Sequence, residues 1–230
     1  MFRVISLTCA AAVMCWAQSA ALPASITAVG SSSISVPPDL ARVDVGVYTQ
    51  AATAQAASQA NATLANTVIM ALQSLLGSSA SIQTVNYSLS PVYNSPALGQ
   101  PATIIGFSVN NTVEATLTDL SKIGSTVDTA IQNGANSVLG ISFDLQDRNP
   151  PTAQALKTAS ASAMSQAAAI AAGLNVHTGS VLHASEGVNV TPVLTGIVNG
   201  TPVAAPVTTP VQTGLVIIQA SVTLEVALTP

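Results

Sequence analysis

Residues 216–228 read VIIQASVTLEVAL, and apolar and polar side chains take turns along them almost without a break. Val216, Ile218, Ala220, Val222, Leu224, Val226 and Leu228 fall on one side, and Gln219, Ser221, Thr223 and Glu225 on the other. Successive side chains of a strand point to opposite faces, so this is a long strand with one buried face. It carries neither Lys nor Pro before Pro230, so its borders need a partner strand, from the same subunit or from a neighbouring chain. The same alternation runs through Val43, Val45 and Val47, through Val85, Tyr87 and Leu89, through Ile105, Phe107, Val109, Val113 and Leu117, and through Leu139, Ile141, Phe143 and Leu145. Strands with one polar face imply mostly antiparallel sheet.

Between the strands the period changes to that of a helix. Ala57, Ala60, Leu64, Val68, Ala71 and Leu75 line one side of a helix over about 54–76, with Gly77 placed to end it. A second helix spans about 119–133, with Leu120, Ile123, Val127, Ala130 and Ile131 along it, Asp119 as N-cap and Gly134 beyond its end. A third follows Pro150 and Pro151, presents Leu156, Ala159, Ala163, Ala167 and Ile170, and closes at Gly173. Its alanines imply close backbone approach, with Leu156, Met164 and Ile170 expected to supply most of the buried area. The result is an α+β chain of three helices and long strands.

Composition narrows the function classes. Of 230 residues 49% are hydrophobic and only 6% charged, which excludes disorder of the whole chain. The surface is wetted instead by 75 Ser, Thr, Asn and Gln residues. A net charge of −4 has the wrong sign for nucleic-acid binding by counterion release. After the first twenty residues no run of about 18 apolar residues remains, so no helical membrane bundle is expected.

The N-terminus reads as a secretory signal peptide over residues 1–19. Arg3 precedes an apolar run from Val4 to Trp16, too short to span a bilayer, and then Ala17, Gln18 and Ser19. Both cysteines, Cys9 and Cys15, leave with it, so the exported chain, 20–230, has no disulfide and no thiolate chemistry. Residues 191–210, TPVLTGIVNGTPVAAPVTTP, contain four prolines and no charge. They read as a long loop or hairpin whose apolar residues meet a neighbouring subunit or a membrane surface.

No G-x-S-x-G elbow and no phosphate-binding glycine loop is present. His177 and His183, six apart on a strand, share a face but lie about 20 Å apart, too far to hold one metal. Asp144, Asp147 and Arg148 form the one cluster with acid–base potential, and Asp144 is expected on a polar strand face with Asp147 opening a turn. Five Asn-x-Ser/Thr sequons begin at Asn61, Asn86, Asn110, Asn189 and Asn199, as expected by chance in a chain this rich in Ser and Thr. No catalytic, cofactor or metal site is assigned.

ITAVGSSSISVPPDLARVDVGV at residues 26–47, with Gly30 and the Pro-Asp-x-Ala of Pro38, Asp39, Leu40 and Ala41, resembles the opening of the SIMPL-domain family of bacterial envelope proteins. Further segments resemble the family in order: 82–93, 106–136 with its Gly134-Ala135-Asn136, 137–145, 161–174 and the terminal strand. The resemblance implies two small α/β modules sharing long strands, a periplasmic or outer-membrane-associated location, large ring-like homo-oligomers in some members, links to oxidative-stress tolerance and immunogenic antigens, and no settled activity. The residues themselves give Pro38–Asp39 a turn between the first two strands and Asn136 a cap or turn. Together these readings point to a non-enzymatic homo-oligomer without cofactors. The alternative is a small-molecule or peptide-binding module with a cleft lined by Tyr48, Tyr87 or Tyr93, and hydrolysis by Asp144 and Asp147 stands third.

Overall fold

A computed structural model describes residues 24–95, 100–193 and 209–230. The expected signal segment and residues 194–208 of the Pro-rich stretch lie outside the described residues. Among those described, the chain runs β1 (Ser25–Val36), β2 (Leu40–Ala51), α1 (Ala54–Leu76), β3 (Ser81–Tyr93), β4 (Ile104–Leu117), α2 (Ile123–Gln132), β5 (Ser137–Asp144), α3 (Asn149–Gly173), β6 (His177–Val193) and β7 (Leu215–Thr229). All pairings are antiparallel. The strands form a three-stranded sheet, β1-β7-β6, and a four-stranded sheet, β3-β4-β2-β5.

The α+β reading holds, with one correction to the modules. No strand belongs to both sheets. The modules are intertwined because the chain starts in the small sheet, builds the large one from β2 to β5, and returns for α3, β6 and β7. The return is tied down: Val211 packs on the core of the large sheet, and Thr209 donates to Asp128 of α2 through its N–H and its hydroxyl. Each sheet has its own core. Ala41, Val43, Val45 and Val47 of β2 meet α1 and α2, whereas Val216, Ile218, Ala220 and Val222 of β7 lie under α3.

The terminal strand buries the face expected of it, and β7 sits between β1 and β6. Its need for partners is therefore met within the subunit. The Pro38–Asp39 segment does not join paired strands, because β1 and β2 belong to different sheets. The large valines of β2 fill the space below α1, while Ala28, Gly30 and Ser32 of β1 suit the narrow gap beneath α3. At the other end, Thr191, Pro192 and Val193, the start of the expected loop or hairpin, extend β6 opposite Ile217, Val216 and Leu215. Proline is tolerated there because β6 is an outer strand.

The first and third helices keep their expected spans, α2 starts later than expected, at Ile123, and the expected faces do not always hold. In α1 the buried stripe is Ala57, Asn61, Ala65, Val68, Leu72 and Leu76, one residue round from the predicted one. A polar residue lies at its centre: Asn61 Nδ2 donates to Val47 O at 2.7 Å. Asp119 caps a short 3-10 turn that leads into α2, accepting from Ser121 N–H. Gly134, just past α2, adopts φ +114°, a conformation that favours glycine. In α3 two of the three expected large anchors fail, and Leu156 alone packs, half-buried, against the core. Met164 and Ile170 are 37% and 43% exposed, and the buried stripe is alanine alone, at 155, 159, 163, 167 and 171. The helix backbone rests so close to β1 that only methyl groups fit between them.

Asn136 acts as an extra rung between β5 and β2. Its N–H donates to Gly46 O at 3.0 Å, its Oδ1 accepts from Tyr48 N–H at 2.9 Å, and its Nδ2 donates to Tyr48 O at 2.7 Å. The side-chain amide thus copies a peptide group and prolongs the ladder. Water reaches this position, so Asn136→Leu should cost about 1 kcal/mol by urea denaturation. Asn136→Asp, which keeps the acceptor and loses the donor, should fall between it and the parent.

Candidate functional site

Charge gathers where β5 gives way to α3. Asp144 ends β5 and is 6% exposed, not on a solvated face as its place in the alternation suggests. Two guanidinium groups explain the difference. Arg148 donates through Nε to Oδ1 at 2.8 Å and through Nη2 to Oδ2 at 2.5 Å, Arg42 of β2 donates to Oδ2 at 3.1 Å, and Leu145 N–H donates to Oδ1 at 2.8 Å. Burial alone would raise the Asp144 carboxyl, but the Arg148, Leu145 and Arg42 hydrogen bonds outweigh it and hold the pKa at about 2. The group is ionised at neutral pH and its lone pairs are occupied. Asp147 is engaged separately, accepting from Asn149 N–H at 2.8 Å at the start of α3. The two carboxylates are held in different hydrogen-bond networks.

Asp39 completes the junction. Its N–H donates to Asp144 O at 3.2 Å and its Oδ1 accepts from Gln146 N–H at 2.7 Å. The sequence places Asp39 in a turn; its distant partner on the far side of the crossover is legible only in three dimensions. A second carboxylate pair escaped the sequence reading altogether. Asp44 and Glu114 stand opposite each other across β2 and β4, and Glu114 Oε1 accepts from Gln83 Nε2 at 3.0 Å. Burial, then Glu114, push the Asp44 carboxyl up, and Arg42 partly offsets them. Only strand register, not spacing along the chain, brings the two together.

His177 and His183 stand opposite Thr229 and Glu225 of β7, which share a face, so the histidines do too. Two register shifts shorten the expected 20 Å to about 13 Å, the span of four β7 residues. Among the described residues no group of three or more His, Cys, Asp or Glu side chains is arranged to hold a metal ion. The tyrosines do not converge. Tyr48 pairs with Asn110 and Tyr87 with the adjacent Asn111, which puts them on opposite faces of the large sheet. Asn61, the first sequon, is buried and bonded to the backbone.

The open face of the small sheet carries a concavity. Rows Ser31–Ser221–Gly187 and Ser33–Gln219–Asn189 cross its floor, and small side chains at their centre leave a shallow groove of about 740 Å³. Its lining is uncharged, made of hydroxyl and amide side chains together with Val188 and Ala220.

Two helix-backed antiparallel sheets interleaved in one chain, joined at two arginines around the buried Asp144, define the class of protein. Residues 26–226 match the SIMPL family, described as "Protein of unknown function (DUF541)", and the chain belongs to that family. It is also similar to the 26 kDa periplasmic immunogenic protein of Brucella melitensis biotype 1, at 29% identity over 170 residues, 71% of this chain and 67% of the relative. The protein of the same name from Brucella abortus strain S19 matches to the same extent. No helix among the described residues is long and apolar enough to cross a membrane.

Proposed function

We propose that this chain is an exported envelope protein that works as an assembly of its own copies rather than as a catalyst. The observation that carries the reading is β6. It is one of the two border strands of the small sheet, seventeen residues long and exposed over most of its length, with no Lys and with its one Pro at Pro192. Such an edge offers a row of unpaired backbone groups to another strand unless something blunts it. The periplasmic name of the Brucella relatives and the signal-like N-terminus support an envelope location, with contact to the outer membrane as its finer form. The family resemblance to proteins linked with oxidative-stress tolerance supplies a phenotype to test. Native mass spectrometry is expected to give a multiple of the protomer mass, and Ser185→Lys on the β6 edge should return it to the protomer with its strand content intact. A parent that stays a protomer at micromolar concentration sinks the assembly reading.

The neutral groove on the small sheet favours a second reading, a module that binds a small polar molecule or a peptide. The same spectra test it. A protomer mass with a retained adduct, lost on Ser221→Leu, would place binding ahead of assembly.

A further inference from the structure

We propose that the helix-bearing face of the small sheet is a two-fold contact between copies of this chain, in which α3 of one copy lies beside α3 of the other and over its β6. The face is only half covered within the subunit. Ala220, Val222, Leu224 and Val226 of β7 lie beneath α3, each 6% exposed or less. Their β6 neighbours on the same face, Val188, Glu186, Ala184 and Val181, are all exposed, Val188 at 39% and Val181 at 48%. The reason is width. A helix about 10 Å across spans only about two strands at ~4.8 Å spacing, and α3 is seated on β1 and β7. Among the described residues two helices back the four-stranded sheet and one backs the three-stranded sheet.

Two hollows follow the seam between α3 and β6. One, of about 230 Å³, lies against Leu156 and Ser160 of α3 and Ala184 and Glu186 of β6. The other, of about 560 Å³, lies against Ala168 and Ala172 of α3 and His177 and Thr178 of β6. Met164, 37% exposed, stands between them on the same flank of the helix, four residues from Ser160 and from Ala168. Charge selects the occupant. Lys157 is the one charged residue of α3 and Glu186 the one acid of β6. Both are exposed, and neither is in an ion pair among the described residues. The chain as a whole carries −4, so copies of it repel, but this face holds one charge of each sign and is otherwise uncharged. A face with a single sign would call for a partner of the other; this one complements itself, because a two-fold axis sets Lys157 of each copy toward Glu186 of the other. The outward residues Ala161, Ser165, Ala168 and Ala172 are small, so a second helix can approach α3 closely.

This inference rests on the assembly reading above and names the surface that forms it. Ser185 lines the first hollow as well, so the Ser185→Lys change reaches this contact too. Met164 lies on α3, away from the β6 border, and separates helix contact from strand pairing. The test uses the exported chain 20–230, which has no cysteine of its own. Met164→Asp should raise the dissociation constant of the dimer about tenfold or more, read by native mass spectrometry across a dilution series, with circular dichroism unchanged. A Lys157→Cys chain mixed with a separately made Glu186→Cys chain should give, on oxidation, more covalent dimer than either variant alone. A parent that stays a protomer overturns the assembly reading and this contact together. A parent that assembles, with Met164→Asp unchanged and no excess cross-link in the mixture, overturns this contact alone and leaves assembly to the strand border. A protomer that retains a peptide, lost on Met164→Asp, would give the seam to a different partner and also overturn it.

Discussion

Gly30→Ala is expected to lower the stability of the protein by about 3 kcal/mol or more, and Gly30→Val to prevent it from folding. A Cβ at Gly30 would lie 2.0 Å from Ala159 O, 2.3 Å from Ala163 N and 3.0 Å from Ala163 Cα. All three are backbone atoms of α3, so no side-chain rotation relieves the clash. The helix would have to lift off β1, unpacking the Ala155, Ala159 and Ala163 methyls from Ala28 and Val222, or else break its own hydrogen bonds. Overpacking against movable side chains costs about 1–3 kcal/mol, and rigid backbone sets this site at the top of that range or beyond. Gly187→Ala on β6 is the control. A Cβ there meets nothing within 4 Å, and its denaturation midpoint should stay within about 0.5 kcal/mol of the parent. A Gly30→Ala protein as stable as the parent would mean that α3 is not seated on β1 as described.

The same contact shows why part of this fold was legible in the sequence and part was not. The alternation in β7 and β2 survives translation into structure because burial on one face selects Val, Ile and Leu strongly at every second position. The span of α1 was legible for a similar reason, with Gly77 at φ +67° closing it. The buried side of α3 was not. With alanine at most positions, hydrophobicity hardly distinguishes one face from another, and the face that packs is chosen by the shape opposite it, here Gly30. Met164 and Ile170 on α3 then mark where space remains, toward solvent, and not where the core lies. In α1 the error was smaller and had another origin: a polar residue, Asn61, occupies a core position because Val47 O needs a donor. Strand partnership was invisible throughout. Nothing in VPPDLA states that the chain changes sheets at that point, and nothing in the spacing of Asp44 and Glu114 predicts that they face each other.

Asp144 is the other residue on which a large effect is expected, because it ties β5 of the large sheet to the first turn of the helix covering the small one. Its carboxyl sits at about 2 in the folded protein against 3.8 when unfolded. A depressed folded value means stability that is fully present above pH 4 and is lost as pH falls through about 2. That gap corresponds to about 2.5 kcal/mol. The Arg42 and Arg148 side chains are 37% and 51% exposed, so solvent screening reduces the share to about 1–2 kcal/mol. Asp44 acts in the opposite sense. Its folded pKa is raised, so it favours the folded state on the acid side and loses that contribution as pH rises through its folded value. Acid unfolding between pH 4 and 2 should therefore follow Asp144. Asp144→Leu removes the acceptor for two guanidinium groups and the Leu145 N–H at once, and is expected to cost about 2–4 kcal/mol at pH 7. Asp144→Asn, which keeps one acceptor oxygen and no charge, should cost less and should flatten urea-derived stability against pH between 4 and 2. If the Asp144→Asn profile stays as steep as the parent's, acid sensitivity lies in other carboxylates and the triad is not what holds the two modules together at low pH. If it flattens, a further Arg148→Gln change should add little, since the charge it served is already gone.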